Sequence, residues 1–408
     1  MYKVLRQFLE SDNFVFLNGK DQHELGEYEQ LFASCEASSP PQFLSPENKP
    51  LPDLASGEWH FGFIAYEYKN RIEDLKSEKK DCFGVPDYFF FQPSFVMTSN
   101  GTTHRMLLGE NPSSDDLGSM NMEVEETGPI IKLYSRLSKA EYIFSVLKIK
   151  EKIQAGDIYE MNFCQEFYAE EIEIDPLTVY RRLIKLSPAP FSAFCKFGDL
   201  YVISSSPERF LKKSKNKLIS QPIKGTQRRS PDPGEDQLLK RELQNDEKER
   251  SENIMIVDLV RNDLSRIAVK GTVKVDELCG IYSFGQVHQM ISTISAELGD
   301  GVSLEEILKA TFPMGSMTGA PKIKAMKLIE EFENTRRGIY SGALGYLTPE
   351  GDFDFSVVIR SILYDAVNKY VSISVGGAIT AKSDPEKEYE ECLLKARAMV
   401  QALNGRIV

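Results

Sequence analysis

Residues 200–223 read LYVISSSPERFLKKSKNKLISQPI. The runs 200–212 and 217–223 are rich in Leu, Ile, Val, Phe and Tyr, and they flank Ser214-Lys215-Asn216, a short polar turn, so the stretch predicts a β-hairpin. Such a hairpin joins antiparallel strands and would carry Glu208 and Lys224 on neighbouring strands. Further strand-like runs recur at 14–17, 61–66, 88–96, 340–347, 356–363 and 370–375. Helix starts are equally marked. Ser138 with Glu141 forms a capping-box pattern ahead of Tyr142, Val146, Ile149 and Ile153, which share one helical face before Gly156. Asp175-Pro176 and Ser303 with Glu306 mark two more. Strands and helices alternate irregularly, which predicts an α+β fold with antiparallel sheet.

The 408 residues, 41% hydrophobic, suffice for a large core. Residues 109–128, GENPSSDDLGSMNMEVEETG, are polar, acidic and turn-forming, and read as a linker or long exposed loop. They divide the chain into an N-terminal scaffold region, 1–130, and a catalytic region, 131–408. No run approaches membrane-spanning length and no signal-peptide core opens the chain, so a cytoplasmic protein without membrane contact is expected. Six cysteines lack CxxC spacing, which predicts reduced, packed thiols. A net charge of −12 argues against nucleic acid as a partner.

Chemistry-bearing residues fall in four places. Glu249 and Glu252 in KERSEN, and Glu388 and Glu391 in EKEYEEC, are spaced i, i+3, so each pair shares a helix face. Such faces are usually solvated surface, yet paired carboxylates also suit Mg²⁺, a hard cation that takes oxygen ligands. Lys395, four residues after Glu391, fits a surface pair. Lys224 lies at the end of a strand-like run, where partial burial would favour the neutral, nucleophilic amine. Glu208 follows Ser206-Pro207 and would serve as a general acid if its pKa were raised. The loop 312–322, with Gly315, Ser316, Thr318 and Gly319, runs into a helix with Pro321 near its first turn, an arrangement suited to a carboxylate. Arg360 would grip a second carboxylate. None of the four histidines sits in a hydrolase motif.

Taken together these stretches resemble the chorismate-utilising enzymes, a family that includes anthranilate synthase component I, aminodeoxychorismate synthase component I, isochorismate synthases and salicylate synthases. The resemblance runs as an ordered series: GDIYEMNF (156–163), SSSPERF (204–210), PIKGTQRR (222–229), IVDLVRNDLSRI (256–267), the loop from Phe312, YSGALGY (340–346), VVIRS (357–361), VGGAIT (375–380) and DPEKEYEECLLKA (384–396). It implies two large antiparallel sheets packed together with helices outside, as in anthranilate synthase component I. It implies Mg²⁺ held by Glu249, Glu252, Glu388 and Glu391. It also implies a chorismate pocket lined by Arg360, Tyr340, Lys395, Gly376, Gly377, Thr226 and Ser316, with Glu208 assisting departure of the C4 hydroxyl. The stretch PIKGT resembles the aminodeoxychorismate-forming branch, in which Lys224 would attack C2 and ammonia would then add at C4. The ammonia would come from a glutamine amidotransferase partner, on the route to p-aminobenzoate and folate. Anthranilate synthase, in which Ala stands in place of Lys224, and an isochorismate-type synthase are the alternatives. Two positions depart from the pattern: Glu160 stands where amino-transferring members carry Gln, and Gln289 where a His is usual.

Overall fold

The computed structural model describes residues 5–6, 8–19, 28–35, 50–100, 103–110 and 129–408. Most of the acidic segment read as a linker, residues 111–128, lies outside the described residues. Two sheets of 12 and nine strands form the frame. In the larger sheet Glu160–Ala169 pairs antiparallel with Tyr370–Ile379, which puts Cys164 opposite Gly376 and Phe163 opposite Gly377. Leu200–Ser206, Phe191–Phe197 and the N-terminal strands Asn13–Asn18 and Gln30–Cys35 continue it. In the smaller sheet Ile223–Arg228, Val287–Glu297, Lys217–Gln221, Arg209–Ser214, Phe353–Val357, Ala343–Leu347 and His60–Ile64 lie in order.

The sheets face each other across an apolar interior that includes Val15, Phe61, Phe63, Phe197, Val202 and Leu344, all essentially buried. Phe63 of the smaller sheet meets Phe197 of the larger edge to face, with centroids 5.1 Å apart. Helices cover the outer faces. Lys139–Gln154 starts on the capping box of Ser138 and Glu141 and buries Tyr142, Val146 and Ile149 against the larger sheet, with helix Pro385–Ala402 beside it. On the smaller sheet, helix Glu247–Ser265 packs over Val287–Glu297, and Leu304–Thr311 begins on the second capping box, Ser303 with Glu306.

The hairpin around Ser214-Lys215-Asn216 is formed, with Ser214 opposite Lys217 and Lys215 at φ 54°. Three runs read as single strands are each two strands in different sheets. Residues 88–96 divide into Tyr88–Phe91 and Phe95–Ser99, residues 200–212 divide at Pro207-Glu208, and residues 356–363 divide at 358–360. Proline lacks the N–H that would continue a ladder, and Pro93 and Pro207 sit at two of these breaks. Arg360, at φ 52°, sits at the third. The run 217–223 breaks similarly at Pro222, after which the chain re-enters the sheet on the far side of Val287–Glu297. Glu208 and Lys224 are therefore not on neighbouring strands. Tyr340 lies in a turn before Ala343–Leu347, and Pro321 is the N-cap of helix Lys322–Phe332, directly before its first turn.

Candidate active site

The breaks that divide the strands place the reactive side chains at one seam between the sheets. Glu208 leaves the larger sheet after Ser206; its carbonyl accepts the N–H of Val357 at 3.0 Å, and the carbonyl of Arg360 accepts that of Ser205 at 3.1 Å. Ser316 Oγ donates to Glu208 Oε1 at 2.6 Å. Glu208 is 5% exposed, and burial pushes its carboxyl up to about 7 against the Ser316 hydrogen bond and the charge of Lys224. A carboxyl so placed can hold a proton at neutral pH and release it to a leaving oxygen.

Lys224 Nζ donates to Glu160 Oε1 at 3.1 Å, with 12% and 2% of the two side chains exposed. Burial pulls the ammonium pKa down, but Glu160, Glu252 and Glu208 together outweigh it and hold Lys224 above the ordinary lysine value. The neutral amine expected from burial alone is thus not the resting form. Three carboxylates within reach decide the balance. Glu160 Oε2 and Gln289 Oε1 are buried without a hydrogen-bond partner.

The two glutamate pairs ride on helices of opposite sheets. Asp246 caps Glu247–Ser265 and accepts the N–H of Glu249, while Asp384 caps Pro385–Ala402 at the N–H groups of Glu386 and Lys387. Glu249 and Glu391 lie within electrostatic reach of each other, and so do Lys248 and all four glutamates. Among the described residues no three His, Cys, Asp or Glu side chains converge into a ready-made cation site. Two of the four pair with cations: Lys395 Nζ meets Glu391 Oε1 at 2.6 Å, and Lys248 Nζ stands 3.8 Å from Glu252 Oε1, while Glu388 is hydrogen-bonded to Ser383. Space over the glycines keeps the region open. A Cβ on Gly377 would lie 3.1 Å from Glu388 Oε2 and 3.7 Å from Glu391 Oε1, and one on Gly225 would lie 3.3 Å from Glu249 Oε2. Oxygen donors alone, with room for water and substrate oxygens, fit Mg²⁺.

Lys395 Nζ also donates to the carbonyl of Gly376 at 2.7 Å. The Arg360 guanidinium, its pKa lowered by burial, lies within electrostatic reach of Tyr340 and Glu391 yet forms no ion pair or side-chain hydrogen bond among the described residues. That leaves its fork free for a carboxylate. Tyr340 is buried with Oη 3.5 Å from Cys164 Sγ. Thr226 is exposed, across the strand pair from Gln289.

Two groups were missed in the sequence. Lys248 was one, although its i, i+4 spacing to Glu252 would have found it. The other is the buried pair Arg337 and Glu333, 2.6 Å apart, whose guanidinium also donates to the carbonyls of Met317 and Asn162. The pair itself is spaced i, i+4, but no spacing rule signals its bonds to Met317 and Asn162, which come from distant segments. All six cysteines are unpaired, and among the described residues no helix is long and apolar enough to cross a membrane.

The architecture is that of known chorismate enzymes. An anthranilate synthase component I structure from Streptococcus pneumoniae superposes with a TM-score of 0.73 at 25% identity, covering 95% of this chain and 90% of that one. The model of the chorismate binding enzyme family matches residues 12–401, and the chain belongs to that family. Curated relatives carry two different names. Anthranilate synthase component 1 of Thermus thermophilus is 33% identical over 390 residues, 92% of this chain and 81% of its own length. Aminodeoxychorismate synthase component 1 of Escherichia coli is 40% identical over 347 residues, 84% of this chain and 76% of its own.

Proposed function

We propose that this enzyme aminates chorismate at C4 to give 4-amino-4-deoxychorismate, with Lys224 as a covalent nucleophile at C2 and Glu208 as the acid that protonates the departing C4 hydroxyl. The observation that carries the reading is Lys224 itself: a lysine amine sunk among Glu160, Glu208 and Glu252 at the seam where Arg360 stands free. A covalent adduct divides one hard displacement into two easier ones. Arg360 orients the diacid through one carboxylate, and Tyr340, Lys395, Gly376, Gly377, Thr226 and Ser316 complete the pocket. Glu249, Glu252, Glu388 and Glu391 would hold Mg²⁺, which supplies charge neutralisation for a substrate carboxylate. Ammonia would reach the site from a glutamine amidotransferase partner, in keeping with the component 1 name of the relatives. The product would feed p-aminobenzoate and folate synthesis in the cytoplasm.

An anthranilate-forming reading is favoured by the T. thermophilus relative, which spans more of the chain. The two readings differ in product. Mass spectrometry of the mixture from chorismate, Mg²⁺ and ammonium salt should show aminodeoxychorismate from the native chain and little from Lys224→Ala. Anthranilate, or product formation indifferent to Lys224, would contradict the amination reading.

A further inference from the structure

A protonated lysine has no lone pair, so Lys224 must lose a proton before it can attack carbon. Among the described residues Glu160 is the one carboxylate hydrogen-bonded to Lys224 Nζ, at 3.1 Å. Its position is fixed from both sides. The Tyr159 N–H donates to the Ala320 carbonyl at 2.7 Å and the Asn162 N–H to the Thr318 carbonyl at 2.8 Å, so the loop before helix Lys322–Phe332 clamps the strand end that carries Glu160. That clamp requires glycine at 319, where φ is +145° and a Cβ would lie 2.2 Å from the Glu160 carbonyl oxygen. Meanwhile Glu160 Oε2 is buried with no hydrogen-bond partner among the described residues. An unmatched buried carboxylate oxygen is costly unless a donor arrives there during turnover. Glu208 is engaged by Ser316 as the acid, and Glu252 faces Lys248.

We infer that Glu160 is the base that takes the Lys224 proton as the amine attacks C2, an assignment that rests on the amination reading above. In the first half, an N–H bond of Lys224 breaks and its proton goes to Glu160. The freed pair forms the Nζ–C2 bond, ring electrons shift, and the C4 hydroxyl takes the proton of Glu208 and leaves as water. In the second half, ammonia bonds to C4, the electrons shift back, and the C2–Nζ bond breaks to release neutral Lys224. Glu160 returns its proton to that amine, and the new C4 ammonium gives one proton to Glu208. Protons and electron pairs balance, and the enzyme ends as it began.

The test is intact-mass spectrometry of the full chain, quenched rapidly after mixing with chorismate and Mg²⁺ without ammonium. The native chain should gain chorismate less water, and Lys224→Ala should not. Glu160→Gln keeps the shape and a hydrogen-bond acceptor but cannot take a proton. At neutral pH it should form the adduct about 100-fold more slowly, with chorismate affinity unchanged. Raising the pH should recover it, because solvent then removes the proton from an ammonium that has lost its hydrogen-bonded carboxylate and keeps only the charges of Glu252, Glu208, Glu249 and Glu391 around it. Glu160→Asp, still a base, should be slowed less than Glu160→Gln. Adduct formation by Glu160→Gln at the native rate overturns the role of Glu160 and leaves the amination reading standing. Equal loss in Gln and Asp variants without recovery at high pH does the same, by showing a purely structural role. A native chain that forms no adduct removes the Lys224 route and this assignment together.

Discussion

Ser316 Oγ and Glu208 Oε1 are 2.6 Å apart, a contact that joins the loop preceding helix Lys322–Phe332 to the crossover between the sheets. A hydroxyl donated to a carboxylate stabilises its ionised form, so this bond works against the burial that raises Glu208 to about 7. Because the acid must be protonated to act, kcat should fall as pH rises through about 7. In Ser316→Ala the bond is lost, the Glu208 pKa rises further, and the falling limb should move to higher pH. Profiles of kcat against pH for both chains check this; a shift to lower pH would contradict it. Glu208→Gln should lose about 100-fold or more in kcat, the usual worth of a placed acid, with chorismate affinity kept.

Gly376 and Gly377 are adjacent, but their substitution by Ala should do different things. A Cβ on Gly376 would meet Cys164 Sγ at 2.4 Å and the Phe163 carbonyl at 2.6 Å, so Gly376→Ala should cost about 1–3 kcal/mol in urea denaturation. The atoms nearest a Cβ on Gly377 are the side-chain ends of Glu388, Glu391 and Lys395, at 3.1 Å or more. Gly377→Ala should therefore fold normally and bind Mg²⁺ more weakly, as read by calorimetric titration.

Arg337 and Glu333 are 3% and 6% exposed at the side chain. Glu333→Ala would strand the guanidinium in the interior and free the Cys164 N–H, which now donates to Glu333 Oε1 at 2.9 Å. A loss of about 3–5 kcal/mol is expected, as for breaking buried pairs, measurable by chemical denaturation. Wild-type stability in this variant would show that the pair is dispensable.

Arg360→Lys keeps the charge but loses the two-pronged geometry. With a charge-assisted hydrogen bond to a carboxylate worth about 1.5–3 kcal/mol, chorismate affinity should fall roughly 10- to 100-fold. Equilibrium binding in the absence of ammonium reads this directly.

Local signals were strong in the sequence. Both capping boxes, the 214–216 hairpin and the periodic face of Tyr142, Val146 and Ile149 carry their own chemistry over a few residues, and each formed. What escaped were the crossovers. A strand that leaves one sheet for another keeps its β-forming composition, so 88–96 and 200–212 look continuous except for Pro93 and Pro207, and 356–363 carries no signal of its break, since nothing in the sequence announces the left-handed conformation of Arg360. The carboxylate pairs were visible as spacings and were given a role only by resemblance. The protonated state of Lys224 was not legible, because it depends on Glu160, Glu208 and Glu252, which approach from three separate elements.

The antiparallel pairing of His60–Ile64 with Ala343–Leu347 sets Ile64 against Ala343, partners separated by most of the chain. During synthesis at about 5–20 residues per second, the earlier strand waits roughly 15 to 60 s for the later one. Throughout that interval Phe61 and Phe63, fully buried in the finished sheet, lack the part of their native cover that Ala343–Leu347 supplies, although Tyr88–Phe91 pairs with their strand much earlier. The same long-range stitching that brings the reactive groups to one seam thus leaves the sheet unfinished until the last fifth of the chain is made, the kind of non-local pairing that slows folding.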